Sequence, residues 1–313
     1  MKNTHVLVTG GAGYLGSVLC GRLLEAGCRV TVVDNLMYGG HGLFHLCGNA
    51  GFEFQRGDVR DERTMAPLLG QVDVVLPLAA LVGAPACDRD PWLARSVNLE
   101  AVRLVLRLRS PRQLVVYPTT NSGYGTRGGE IHCTEDTPLE PISLYGQTKV
   151  QAESDILQQP NTLTLRLATV FGMSPRMRLD LLVNHFVHAA ATEGYLVIFE
   201  KDFKRNYIHI RDVADCFLHC IENSGAMAGR AYNAGLEEAN LSKAELALKV
   251  KEHVPRFLIQ FSETGSDPDR RNYIVSNRRL REAGFHARRS LDDGIRELLR
   301  GYRMMARSPF VNA

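Results

Sequence analysis

Apolar positions along the chain change period several times. Residues 4–9 (T-H-V-L-V-T) make a nearly unbroken apolar and β-branched run that ends in a glycine cluster, the pattern of a strand buried on both faces. The spacing then turns helical over 14–26 and stops at Gly27. Residues 29–33 read as a second β-branched strand, ending in Asp34-Asn35, with further strands at 72–76, 113–117 and 162–167. Helices are predicted at 91–108, with Pro91 in the first turn, and at 144–158. Strands alternating with helices predict parallel β-α-β units in an α/β fold with an open doubly wound sheet. After about residue 172 the alternation loosens. Short strands at 196–199 and 207–210 fall among helices at 211–222, 242–252 and 290–305. The expected division is a nucleotide-binding domain over 1–172 and a smaller, partly interwoven α/β domain over 173–313, the boundary being approximate.

Composition narrows this little. Hydrophobic residues make up 45% and charged residues 23%, ordinary for a globular protein. The net charge of +3 points to no nucleic-acid partner, because the basic residues of 278–307 alternate with Leu and acidic residues as a solvated helix face does. No apolar run reaches the ~18–20 residues that span a bilayer. The N-terminus runs at once into a strand and lacks the features of a signal peptide. A cytoplasmic protein with no membrane partner is expected. Seven cysteines, none in a Cys-x-x-Cys pair, fit reduced thiols rather than a metal site.

The first candidate chemistry lies after the first strand, where Gly10, Gly13 and Gly16 have G-x-x-G-x-x-G spacing around Tyr14 and Leu15. Such a turn lets backbone N–H groups approach a pyrophosphate at the start of a helix. Asp34, roughly 20 residues on at the end of the second strand, can accept hydrogen bonds from a ribose and repel a 2′-phosphate. Asn35 follows it where an arginine would favour NADP. NAD is therefore the expected cofactor of a Rossmann-type domain, with Asp58 and Val59 at its adenine edge. The second candidate is Tyr145-x-x-x-Lys149. Positions i and i+4 share a helix face, and an ammonium there favours a phenolate able to exchange a proton during hydride transfer. Thr119-Thr120-Asn121-Ser122 follows a strand at the carboxyl end, where such sheets bind ligands.

With these residues in place the chain resembles the extended short-chain dehydrogenase/reductases that modify nucleotide sugars: epimerases, dehydratases and dehydrogenases. The resemblance rests on the glycine turn, Asp34-Asn35-Leu36, Leu78-Ala79-Ala80, Asn98, Tyr145-x-x-x-Lys149 and the segment 205–213 (R-N-Y-I-H-I-R-D-V). It implies that Leu78, Ala79, Ala80 and Asn98 meet NAD, that Lys149 serves the nicotinamide ribose as well as Tyr145, and that Thr120 holds the reacting sugar oxygen. It makes Arg205 a diphosphate ligand, and implies a homodimer built on the helices at 91–108 and 144–158. His209, inside an apolar strand, reads as a packed residue.

Three reactions can follow oxidation at a sugar C4: epimerisation, dehydration or release of the oxidised product. Similar dehydratases carry a carboxylate one or two positions after the active-site Thr or Ser; here Asn121 and Ser122 stand there, and neither is a useful base. Thr169 and Val82 replace an Asn and a Lys common in UDP-glucose 4-epimerases. The stretches 119–125, 166–184 and 267–277 are similar to bacterial GDP-D-glycero-D-manno-heptose 4-dehydrogenases. That similarity implies net C4 oxidation of a GDP-heptose in capsule or related glycan pathways, with 2-oxoglutarate as a possible hydride acceptor; a nucleotide-sugar 4-epimerase is the alternative. Asn121, Ser122, Thr169, Arg176, Arg178, Asn184, Arg205, Arg270 and Arg271 are the expected substrate-binding positions. A non-catalytic nucleotide sensor is the reading from a different class, and the intact Tyr145, Lys149 and Thr120 argue against it.

Overall fold

The computed structural model describes residues 1–126, 132–263 and 272–305. Its strands are β1 (His5–Thr9), β2 (Arg29–Asp34), β3 (Phe52–Arg56), β4 (Val74–Pro77), β5 (Leu114–Thr120), β6 (His132–Cys133), β7 (Thr162–Leu167), β8 (Thr169–Phe171), β9 (Tyr195–Phe199), β10 (Lys204–His209), β11 (Ala231–Ala234), β12 (Asn240–Ser242), β13 (Leu258–Ser262) and β14 (Ile274–Val275). Seven of them form one parallel sheet in the order β11-β7-β5-β4-β1-β2-β3. This is a doubly wound Rossmann-type α/β fold. The chain leaves β1 toward one edge and returns at β4 toward the other, so the carboxyl ends of these two strands flank the crevice where such sheets take ligands.

Every residue of β1 is buried because helices cover both faces of the sheet. Val6 and Val8 point into a core with Leu19, Leu23, Val213 and Phe217. Leu7 points the other way, against Val33, Met65, Val75 and Val105. The residue-to-residue alternation of side chains along the strand thus feeds two cores from one run of apolar residues. A third core, with Phe171, Val187, Tyr207, Leu246, Ile295 and Tyr302, belongs to the later part of the chain. Here β8, β10 and β12 form a small sheet. The chain is interwoven, since β11 comes after these strands yet forms the edge of the main sheet.

The helix expected over 91–108 is helical throughout but not uniform. Pro91–Arg95 and Ala101–Leu108 are α-helical, and Ser96–Glu100 between them is a π turn. A π turn adds a residue to one turn and re-aims its side chains. Among the described residues no helix is long and apolar enough to cross a membrane.

Candidate active site

A cavity of about 1180 Å³ opens at the carboxyl end of the main sheet, between it and the later segments. Single small-ligand sites occupy roughly 300–1,000 Å³, so this volume leaves space for a second ligand beside a dinucleotide. Gly10, Gly13, Tyr14, Leu15 and Gly16 line one end. Gly10 has φ +69°, and a Cβ there would lie 2.6 Å from the backbone of Ala79. Its missing side chain lets the turn approach the loop of Leu78, Ala79 and Ala80, which also lines the cavity. A Cβ on Gly16 would lie 2.6 Å from Gly11 Cα, so the helix Tyr14–Glu25 can begin directly under the turn. Its exposed N–H groups and positive dipole end face the space a pyrophosphate would fill.

Asp34 and Asn35 follow at the end of β2 and line the same end. The Asp34 carboxylate is aimed before any ligand arrives: Ala12 N–H donates to Oδ2 at 3.0 Å and Leu36 N–H to Oδ1 at 2.8 Å. Asp58 and Val59 lie beside it. Arg60 grips Asp58 with contacts of 2.6 and 2.9 Å, which hold that carboxyl below its usual range despite partial burial. The glycine cradle, the fixed carboxylate and the volume together fit NAD.

At the other end stand Thr120, Ser122, Tyr145 and Lys149. The Ser143 hydroxyl accepts from Gly146 N–H at 3.2 Å and caps the helix Leu144–Leu157, so Tyr145 and Lys149 occupy successive turns of its first half. Lys149 is buried, and desolvation lowers its ammonium to about 7 against the opposing pull of Glu153. Thr120 Oγ1 and Ser122 Oγ share a hydrogen bond of 2.8 Å, and Ser122 N–H donates to Thr120 Oγ1 at 3.1 Å. No carboxylate stands at 121 or 122. Asp180, which also lines the cavity, is ion-paired with Arg178.

The remaining expected substrate positions divide. Thr169, Arg176, Arg178 and the buried Arg205 line the cavity. The Arg176 guanidinium lies 4.4 Å from the ring centre of Tyr38, toward the Asp34 end; burial and then Arg178 lower its pKa. Arg270 and Arg271 lie outside the described residues. Three of the expected asparagines, Asn98, Asn121 and Asn184, are buried and do not line the cavity. Asn98 sits in the π turn and clamps the backbone of Leu81, accepting from its N–H at 2.8 Å and donating to its carbonyl at 2.9 Å. It shapes the loop beyond Ala80, whose Leu81 lines the cavity. Asn184 accepts from Gly172 N–H and donates to Tyr14 Oη and the Arg178 carbonyl. Asn121 turns inward, and neither polar atom of its side chain has a hydrogen-bond partner. Tyr14 is partly structural too, its hydroxyl donating to the Gly172 carbonyl at 2.7 Å. His209 is a buried helix cap, stacked edge-on against Phe171.

Tyr38, Tyr117 and Glu153 were not singled out from sequence. Only Glu153 carried a usable signal, lying eight residues after Tyr145 and thus on the same face.

A site of this form, a dinucleotide cradle facing a Tyr-x-x-x-Lys pair, defines an NAD-dependent enzyme of the extended short-chain dehydrogenase/reductase type. The model of the NAD dependent epimerase/dehydratase family matches residues 6–235, and the chain belongs to that family. UDP-arabinose 4-epimerase 1 of Arabidopsis thaliana is 27% identical, over 90% of this chain and 77% of its own. A dTDP-glucose 4,6-dehydratase of an Actinoplanes species is 28% identical, over 95% and 97%. The solved structure of a UDP-glucose-4-epimerase from Stenotrophomonas maltophila, with bound NAD and formylated UDP-arabinopyranose, superposes with TM-score 0.86 at 24% identity. That match covers 97% of this chain and 99% of the other.

Proposed function

We propose that the chain transfers hydride at C4 of a nucleoside-diphosphate sugar and returns it to the opposite face, as a 4-epimerase. The observation that carries this reading is the pairing of Tyr145 and Lys149 with two hydroxyls, Thr120 and Ser122, with no carboxylate at position 121 or 122. NAD, when bound, supplies hydride acceptance and donation. Tyr145 takes the proton of the sugar hydroxyl as phenolate and gives it back as phenol. The Thr120 hydroxyl orients the reacting oxygen, and the Lys149 cation favours the phenolate. Dehydration needs a base at C5, and neither Asn121 nor Ser122 supplies one. Asp180 is already engaged by Arg178. UDP-sugar epimerases among the relatives support epimerisation over other outcomes.

A second reading is net C4 oxidation of a GDP-heptose, with 2-oxoglutarate taking the hydride. The specific features favouring it are Thr169 on the cavity wall, Val82 and the stretches 119–125 and 166–184. Arg176, Arg178 and Arg205 are cations of the cavity wall that can receive a diphosphate or a dicarboxylate.

One experiment separates these outcomes. The enzyme is incubated with UDP-, GDP- and dTDP-sugars, with and without 2-oxoglutarate, in heavy-oxygen water, and products are read by mass spectrometry and NMR. Unchanged mass with a new C4 configuration is expected. Loss of two hydrogens with an exchangeable carbonyl oxygen establishes the second reading, and loss of water overturns both. We further propose a homodimer through the faces of the helices at 91–108 and 144–157, for which light scattering should give twice the chain mass.

A further inference from the structure

The catalytic lysine is held from below by an aromatic face. Lys149 Nζ lies 3.8 Å from the ring centre of Tyr117, which is itself buried in β5. A cation within about 6 Å of such a face is attracted by the ring quadrupole, most strongly where water is excluded. We propose that Tyr117 is a positioning residue for the reaction, the face of its ring keeping the Lys149 ammonium charged and in place beneath the cavity. This rests on the role given to Lys149 under the proposed function.

The surroundings of Lys149 single out the ring. On its own helix, Glu153 follows one turn later, buried, and its carboxylate pulls the lysine toward the charged form. That carboxylate is already committed: from β7, Arg166 contacts Glu153 Oε1 through Nε at 2.9 Å and through Nη2 at 2.6 Å. The Thr164 hydroxyl donates to its other oxygen at 3.3 Å. A neutralised pair one turn away compensates a buried ammonium much less than a lone carboxylate would. The turn Ser96–Glu100, packed behind the ring, offers the neutral Asn98, whose amide is spent on Leu81; the Tyr117 hydroxyl reaches only the Asn98 carbonyl, at 3.4 Å. Tyr145, on the preceding turn, offers a charge only as the phenolate that the lysine is there to favour. The ring face is therefore the fixed partner that stabilises the ammonium at all stages of turnover.

The test reads the lysine directly. Protein labelled with carbon-13 at the lysine ε position is titrated by NMR without substrate, the Lys149 signal being assigned by its loss in Lys149→Met. In Tyr117→Leu the midpoint should move to lower pH, with the protonation equilibrium weakened about threefold to thirtyfold, the span expected of an exposed to a desolvated cation–π contact. Tyr117→Phe keeps the face and should titrate as the wild type. Where the leucine variant fails to fold, fluorinated phenylalanines at position 117 keep the shape and weaken the face. The midpoint should then fall stepwise with the number of fluorines. A midpoint that ignores fluorination, or one that moves as far in Tyr117→Phe as in Tyr117→Leu, overturns the inference. No nucleotide sugar enters this titration, so its failure is distinct from a failure to turn over any sugar in the panel above.

Discussion

Asp34 holds both carboxylate oxygens in place with backbone N–H groups from Ala12 and Leu36. A carboxylate fixed in that orientation accepts from ribose hydroxyls and opposes a 2′-phosphate. NAD should therefore bind more tightly than NADP by calorimetry, and Asp34→Ala should narrow the gap; equal affinities in the wild type would remove the argument. Tyr145→Phe keeps the ring and removes the proton carrier, so turnover should fall by ~10²–10⁴-fold with NAD affinity nearly unchanged. Residues of this kind were legible in the sequence because their spacing states their geometry: a Tyr and a Lys four apart on a helix share a face, and an Asp ending the second strand meets the first turn. Asn98, Asn121 and Asn184 were not. An amide announces polarity but not direction, and all three point into the protein, two of them to satisfy backbone groups. Tyr117 gave no signal because an aromatic in a buried strand is the ordinary filler of a core.

At the level of elements, apolar runs located β1, β2, β4, β5 and β7 of the main sheet to within a few residues, because strands covered on both faces have little freedom in composition; β11 and the largely exposed β3 at the two edges were not located. The π turn at Ser96–Glu100 could not be read that way. Its evident partner is a tertiary contact, Asn98 on the Leu81 backbone, which leaves no periodic trace. The same holds for the segment after β8, which crosses back over the start of the helix Tyr14–Glu25. The Ser174 hydroxyl donates to the Tyr14 carbonyl at 2.8 Å and shares a 2.9 Å hydrogen bond with Ser17. Asn184 ties the Gly172 amide, the Tyr14 hydroxyl and the Arg178 carbonyl together. Asn184→Ala should thus leave buried groups of both segments unsatisfied, at about 1–3 kcal/mol. It should also weaken NAD binding, because the crossing segment carries Arg176 and Arg178 into the cavity. Denaturation midpoints and calorimetry check the two effects, and a loss of stability without a loss of NAD affinity would show that the crossing segment does not support the cofactor end.

For the whole molecule, the site is bought with stability. Acidic groups behave conventionally: burial favours protonated Asp215, but Arg22 and Arg289 outweigh it and hold the carboxyl below its usual range. That contribution is present above the unfolded value, ~4, and is lost as pH falls through the folded one. Lys149 works in the opposite direction. Its folded value, about 7, lies below the ~10.4 of an unfolded lysine. Between these values the unfolded chain binds the extra proton, so folding stability rises with pH there. The cost of burying the ammonium is felt in full below the folded value, is relieved as pH climbs toward 10, and is of order a few kcal/mol. Lys149→Met fills nearly the same volume without a charge. The NAD-free variant should therefore be more stable than the NAD-free wild type at pH 7, while its turnover collapses. The difference should shrink by roughly 2 kcal/mol on moving to pH 9. Urea denaturation of both proteins at the two pH values measures it. Comparing variant with wild type cancels the carboxylates, and stopping at pH 9 stays below the ordinary ionisation of tyrosines, of which Tyr14 is pushed further up by burial. A variant no more stable than the wild type, or a difference that stays constant with pH, would mean that the buried lysine is compensated in the folded enzyme.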